Sequence, residues 1–193
     1  MSLHQQSELK KAILELPQPE KDKLLIRLVG KDKVLMKQLH FQLLEDESDL
    51  EERTDAAHRQ LIRLIDHMTR HIVNENHRGQ ADELMKALKY GSGIVNEHAT
   101  TTKDKMSELR LRLFLLTQSF ANFDRLFQRH PYGWNERLLK YQTGRIKYVL
   151  GKYDKLHEDL QFEFRDELNG ALAFAYRSGM RNEMEVWGLP NEV

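Results

Sequence analysis

Residues 106–127 read MSELRLRLFLLTQSFANFDRLF, and their spacing decides the fold. Met106, Leu109, Leu113, Leu116, Phe120, Phe123 and Phe127 follow one another at steps of three, four, three, four, three and four. A period near 3.5, sustained over about three heptads, marks a helix with one continuous apolar seam. Leu111, Phe114, Leu115 and Leu126 add apolar surface on other sides. A helix apolar on more than one side must be surrounded, so the spacing predicts a central helix over 101–130 of an all-α bundle. The three phenylalanines are read as core, since aromatic stripes at helical spacing are far more often buried than turned into a cofactor box.

The same period extends in both directions. Ala57, Leu61, Leu64, Ile65, Met68 and Ile72 predict a long helix over 49–74, closed by Asn74, Asn76 and Gly79. Ser48 and Glu51 stand at capping-box spacing near its start. Another helix is expected from near Gln80, with Gly91, Ser92 and Gly93 acting as a kink or a close-packing point, and 98–102 as a turn. Downstream, 130–133 is a break and Asn135 a cap. Leu139, Ile146, Val149, Leu150, Tyr153, Leu156 and Leu160 then give one long stripe. Gly144 and Gly151 lie within it, and close packing on the central helix, or a break near Gly151, would account for them. A last helix carries Phe164, Leu168, Ala171, Leu172 and Ala175 as far as Gly179. Trp187 lies in the tail of 180–193.

The first 45 residues have a finer grain. Pro17, Pro19, Gly30 and Asp32 punctuate three short apolar-periodic runs within 7–45. Leu16 to Glu45, LPQPEKDKLLIRLVGKDKVLMKQLHFQLLE, resembles the first repeats of HEAT-like helical proteins, which implies antiparallel helix pairs and a protein-binding scaffold. The whole chain is similar to all-α proteins common in bacterial genomes. The expected organisation is a single all-α domain, 1–193, an antiparallel bundle over 49–179 with the short N-terminal helices packed at one end.

Composition narrows the function. The 193 residues include no cysteine, which excludes disulfides, thiolate nucleophiles and thiolate zinc sites. Thirty basic residues balance thirty acidic ones, which argues against a nucleic-acid coat. The longest apolar run, Leu113 to Leu116, is too short for a membrane span, and the opening residues do not read as a secretory signal. A cytoplasmic protein is expected.

No motif carries chemistry outright. A phosphate loop, a GxSxG elbow and a complete HExxH are all missing, since His157-Glu158 is followed by Asp159-Leu160-Gln161. His67, His71 and Glu75 stand four apart on one helix side, at the edge of the apolar stripe. Imidazoles and a carboxylate suit a divalent metal such as zinc or iron, and Asp154 and His157, with Glu97 and His98 as a weaker source, could complete the set from another helix. Helical bundles hold metal through inward ligands from facing helices, and this ladder matches those sets loosely. Boundary histidines are more simply amphipathic cover, and no cofactor is expected. The acidic run 45–55, seven acids and one arginine, is read as a loop and a solvated first turn. Between 140 and 155 five cations face one acid, with Tyr141, Tyr148 and Tyr153 among them. Lys140, Arg145, Lys147 and Lys152 are therefore nucleic-acid candidates, set against a solvated helix face paired with a neighbour's acids. The expectation is a non-catalytic interaction or scaffold protein whose partner is another protein or a second copy. A metal-dependent bundle enzyme is the first alternative and nucleic-acid binding the second.

Overall fold

The structure, a computed structural model, describes residues 6–72 and 77–193. It divides into two units, Met1–Asp46 and Glu47–Val193. Every regular element in the described residues is helical.

The first unit holds α1 (Ser7–Glu15), α2 (Gln18–Val29) and α3 (Lys33–Leu44). Pro17 is extended and starts α2, with Pro19 in its first turn. The Asp32 carboxylate caps α3, accepting the Val34 and Leu35 amides at 2.9 and 3.0 Å. A cap of this kind contributes about 1 kcal/mol. None of the residues in these three helices is buried.

The second unit is the bundle. It holds α4 (Glu47–His71), α5 (His77–Thr102), α6 (Lys105–Phe123), α7 (Glu136–Tyr153), α8 (Glu158–Arg177) and α9 (Arg181–Val186), with a 3-10 turn, Asp124–Phe127, after α6. Consecutive long helices pack on one another, α4 on α5, α5 on α6, α6 on α7 and α7 on α8. The centre is α6, which packs against α4, α5, α7 and α8. Leu109, Leu113, Leu116, Phe120, Phe123 and Phe127 are all buried, and so are Leu111 and Leu115 on the other sides. Phe120 stacks on Phe174 of α8 with centroids 4.4 Å apart and meets Phe127 edge-on at 5.0 Å. Each aromatic contact of this kind adds about 0.5–1.5 kcal/mol beyond the area it buries.

Several boundaries differ from the sequence expectation, each for a local reason. The expected turn at 98–102 is the last turn of α5, where the Thr102 hydroxyl donates to the His98 carbonyl at 3.0 Å. The chain reverses instead at Lys103, with φ of 55°, and Asp104 caps α6 by accepting the Ser107 amide at 2.7 Å. The central helix is therefore shorter than 101–130. It ends at Phe123, and the tighter turn after it keeps Leu126 and Phe127 buried. Asn135 spends its side chain on that end, donating to the Leu126 and Gln128 carbonyls at 2.7 and 2.6 Å rather than capping α7.

The stripe from Leu139 to Leu160 covers two helices, since α7 stops at Tyr153 and α8 starts at Glu158. Gln161 holds that reversal by donating to the Tyr153 and Leu156 carbonyls. Gly91 sits inside an unbroken α5 and is a close-packing point, as a Cβ there would lie 3.0 Å from Leu115 and 3.1 Å from Leu64. Gly144 faces Trp187 at 3.8 Å and Gly151 faces open space, so neither packs on the central helix. Ser48 lies inside α4, which begins at Glu47. The closing residues of the expected 49–74 helix, Asn74 and Asn76, lie outside the described residues. The C-terminal tail is pinned, with Tyr176 donating to the Leu189 carbonyl at 2.6 Å and Val193 bonded to Asn169. Among the described residues no helix is long and apolar enough to cross a membrane.

Candidate functional site

Buried charge in the second unit gathers where α5, α6 and α7 meet. Tyr141, Arg145, Tyr148 and Lys152 stand at i, i+4, i+7 and i+11 of α7, so one side carries all four. Lys140 and Lys147 lie on another side, roughly 100–150° away at about 100° per residue. Lys140 is exposed, and the Lys147 ammonium is 5.7 Å from the Trp187 ring. The four nucleic-acid candidates thus fall into two pairs on different faces. The interleaved aromatic surface is also occupied. The Tyr148 ring has the Arg112 guanidinium at 4.5 Å and the Lys152 ammonium at 5.3 Å, and Tyr141 has Arg145 at 5.2 Å.

Glu108 of α6 is the focus of the cluster. It is 5% exposed, and one carboxylate oxygen accepts Arg112 Nε at 2.9 Å and lies 2.8 Å from Arg112 Nη2. The other oxygen accepts Lys152 Nζ at 2.8 Å. Arg112 also donates to Asn96 Oδ1 at 2.8 Å. Burial pushes the Glu108 carboxyl up, but the hydrogen bonds and charges of Lys152 and Arg112 outweigh it and hold the group below the usual carboxylate value. The hydrogen bond to Glu108 raises Lys152, against the opposing effect of burial. Around this core, Ser92 and Tyr141 share a hydrogen bond at 3.0 Å and Gln142 donates to Ser119 at 2.8 Å. At one end of the cluster His98 is buried against Ser107, with Nε2 to Oγ at 2.8 Å. Burial lowers its pKa, with Arg53 acting in the same direction and Asp104 and Glu108 opposing.

Arg112, Arg145, Tyr148, Ser92 and Gln142 line a cavity of about 20 Å³ at this junction. That volume admits roughly one water-sized atom. Arg145 is one of the lining residues, and its Nε is buried with no hydrogen-bond partner among the described residues.

The histidine ladder is placed differently. His67 and His71 stack with ring centroids 4.0 Å apart, and the His71 Nδ1–H donates to the His67 carbonyl at 2.8 Å. Both are exposed on α4, and Glu75 lies outside the described residues. His157 caps α8, with Nδ1 accepting the Asp159 amide at 3.4 Å, and Asp154 is exposed at the end of α7. Since α4 packs on α5 and α6, while α8 packs on α6, α7 and α9, the structure does not bring His157 to the ladder. Among the described residues no three His, Asp or Glu side chains converge as metal ligands.

No protein-family model matches the chain, and no curated protein or solved structure is significantly similar to it.

Proposed function

We propose that the chain is a non-catalytic, cytoplasmic interaction protein, and that α1–α3 bind the same helices of a second copy. The observation that carries this reading is the absence of any buried residue in the three helices. Nine of their large apolar side chains are 46–74% exposed, Leu14, Ile26, Leu43 and Leu44 among them. Helices of 9, 12 and 12 residues are marginal in isolation, and units of roughly 40 residues without disulfides or metal usually need a partner.

The exposed area fits a dimer. At about 25 cal/mol/Å², the roughly 1.5–3 kcal/mol of a fully buried aliphatic side chain corresponds to about 60–120 Å². Nine such side chains, each about half exposed or more, then offer roughly 300–600 Å² of apolar surface. One side of a standard interface buries about 800 Å², of which about 57% is apolar. Charge permits self-pairing, because eight Lys and Arg are interspersed with five Asp and Glu over 7–44. The seam of α6, whose spacing could have served a coiled coil between chains, is already filled by the bundle.

Sedimentation velocity of the full chain tests the proposal. A concentration-dependent dimer is expected. Leu25→Glu combined with Leu43→Glu, both at exposed positions, should leave a monomer whose bundle unfolds at the unchanged midpoint. A wild type that stays monomeric throughout, or a double variant that dimerises as before, would refute it.

A further inference from the structure

We propose that the cavity between α5, α6 and α7 is an anion site that takes the phosphate group of a small phosphomonoester, with Arg145 as its principal partner. Arg112, Arg145 and Lys152 bring three cations to the junction, and Glu108 brings one carboxylate. Glu108 is spent on Arg112 and Lys152, so Arg145 has neither an ion-pair partner nor an acceptor for its Nε among the described residues. A buried guanidinium N–H left unpaired is a costly arrangement, and a group that supplies both an acceptor and negative charge relieves it best. The local excess of two positive charges matches the dianion of a phosphomonoester better than a carboxylate.

Geometry supports the same ligand. The Arg145 guanidinium lies over the rings of Tyr141 and Tyr148, 5.2 and 5.7 Å from their centroids. Aromatic partners engage the faces of a guanidinium and leave its in-plane donors for an oxyanion. Ser92 and Gln142 add polar side chains to the lining, and Gln142 keeps the second amide hydrogen that Ser119 does not take. The cavity is only about 20 Å³, so one phosphate oxygen enters while the rest of the group stays outside, and Tyr148 is the exposed side chain of the lining. Leu115 and Leu116 in the lining are buried and lower the local dielectric, which strengthens the attraction. A bound water could satisfy Nε but would leave the excess charge in place.

Inorganic phosphate is the probe. The unfolding midpoint of the full chain, followed at constant ionic strength as phosphate replaces chloride, should rise and saturate, because a ligand that binds only the folded state stabilises it by mass action. The phosphorus-31 resonance should broaden on adding protein. Arg145→Gln should abolish both effects, and Arg145→Lys should weaken them by keeping the charge without the planar donors. Lys140→Gln with Lys147→Gln removes twice as much charge from the other face of α7 and should change neither. The proposal fails if phosphate has no more effect than matched chloride or acetate, or if folded Arg145→Gln responds like wild type. It fails too if the Lys140 and Lys147 variant loses as much as Arg145→Gln, since the site would then be a diffuse basic surface of the kind that holds nucleic-acid backbones.

Discussion

Replacing Glu108 with alanine tests the buried cluster most directly. The carboxylate accepts hydrogen bonds from Arg112 and Lys152. Removing it leaves Arg112, 8% exposed, with Asn96 as its remaining partner, whereas the Lys152 side chain, 30% exposed, can turn to water. The cost therefore comes chiefly from one uncompensated guanidinium. Breaking a buried pair costs about 3–5 kcal/mol, and the escape of Lys152 puts the expected loss at about 3 kcal/mol. Arg112→Leu alone should cost less, because Glu108 keeps Lys152. In the double variant Glu108→Leu, Arg112→Leu no charge is stranded, and the pair is replaced by packing of similar volume at close to neutral cost. Urea unfolding reads all three through the midpoint at constant slope. A Glu108→Ala loss below about 1 kcal/mol, or a double variant as unstable as the sum of the singles, would refute the reasoning.

Phe120→Ala removes a ring held by Phe174 and Phe127 and should cost about 3–5 kcal/mol in the same assay. His98 gives a pH dependence with a definite sign. Its folded pKa lies below 6.5, so the unfolded chain takes the proton first. Its contribution to stability is complete above pH 6.5 and is lost as pH falls through the folded value. His98→Asn should flatten the urea midpoint in that window, while the loss due to Glu108 begins only below 4.5. Gly151→Ala, inside α7 and facing open space, should stabilise by about 0.5–1 kcal/mol, whereas Gly179→Ala would place a Cβ 2.8 Å from the Phe127 carbonyl and should destabilise. Hydrogen exchange should be slowest in α6, and protection of α1–α3 should rise with protein concentration if those helices pair between copies.

The central helix was legible because its apolar residues recur at every three or four positions, and that pattern can be met only by burial on several sides. Phe120, Leu113 and Leu116 lie where the spacing predicts. The ends of helices were less legible, because they depend on side chains reaching across loops. Asn135 reads as an ordinary cap in sequence, yet its amide is used on carbonyls seven and nine residues earlier. The site was legible only in part. Arg145 and Lys152 were found from the density of basic residues, but Lys140 and Lys147 came with them, since local composition does not separate helix faces. Glu108 and Ser92 were missed. Ser92 was hidden within a glycine pair whose spacing reads as a kink or a close-packing point. Glu108 carried a usable signal: at about 100° per residue it and Arg112 fall between Leu111 and Leu115 on one side and Leu109 and Leu116 on the other, so an acid and an arginine four residues apart are buried together between two apolar arcs.

That last point explains what the ion pair does for the bundle. A helix apolar on several sides, exposed along Arg110, Ala121 and Asn122, can bury much of the same area after a partial rotation about its axis, so hydrophobic burial fixes its position more firmly than its rotation. Glu108 and Arg112 remove that freedom. The carboxylate reaches Lys152 only when this side of α6 faces α7, and Arg112 reaches Asn96 only when it also borders α5. The wrong rotations would strand two charges among leucines, at a cost of several kcal/mol per ion, which is far more than the leucines themselves discriminate. The double Glu108→Leu, Arg112→Leu variant should therefore keep its stability while losing uniqueness, visible as broadened amide resonances in α6 and α7. Resonances as sharp as those of the wild type would mean that shape complementarity at Gly91 and around Phe120 sets the rotation without help from charge.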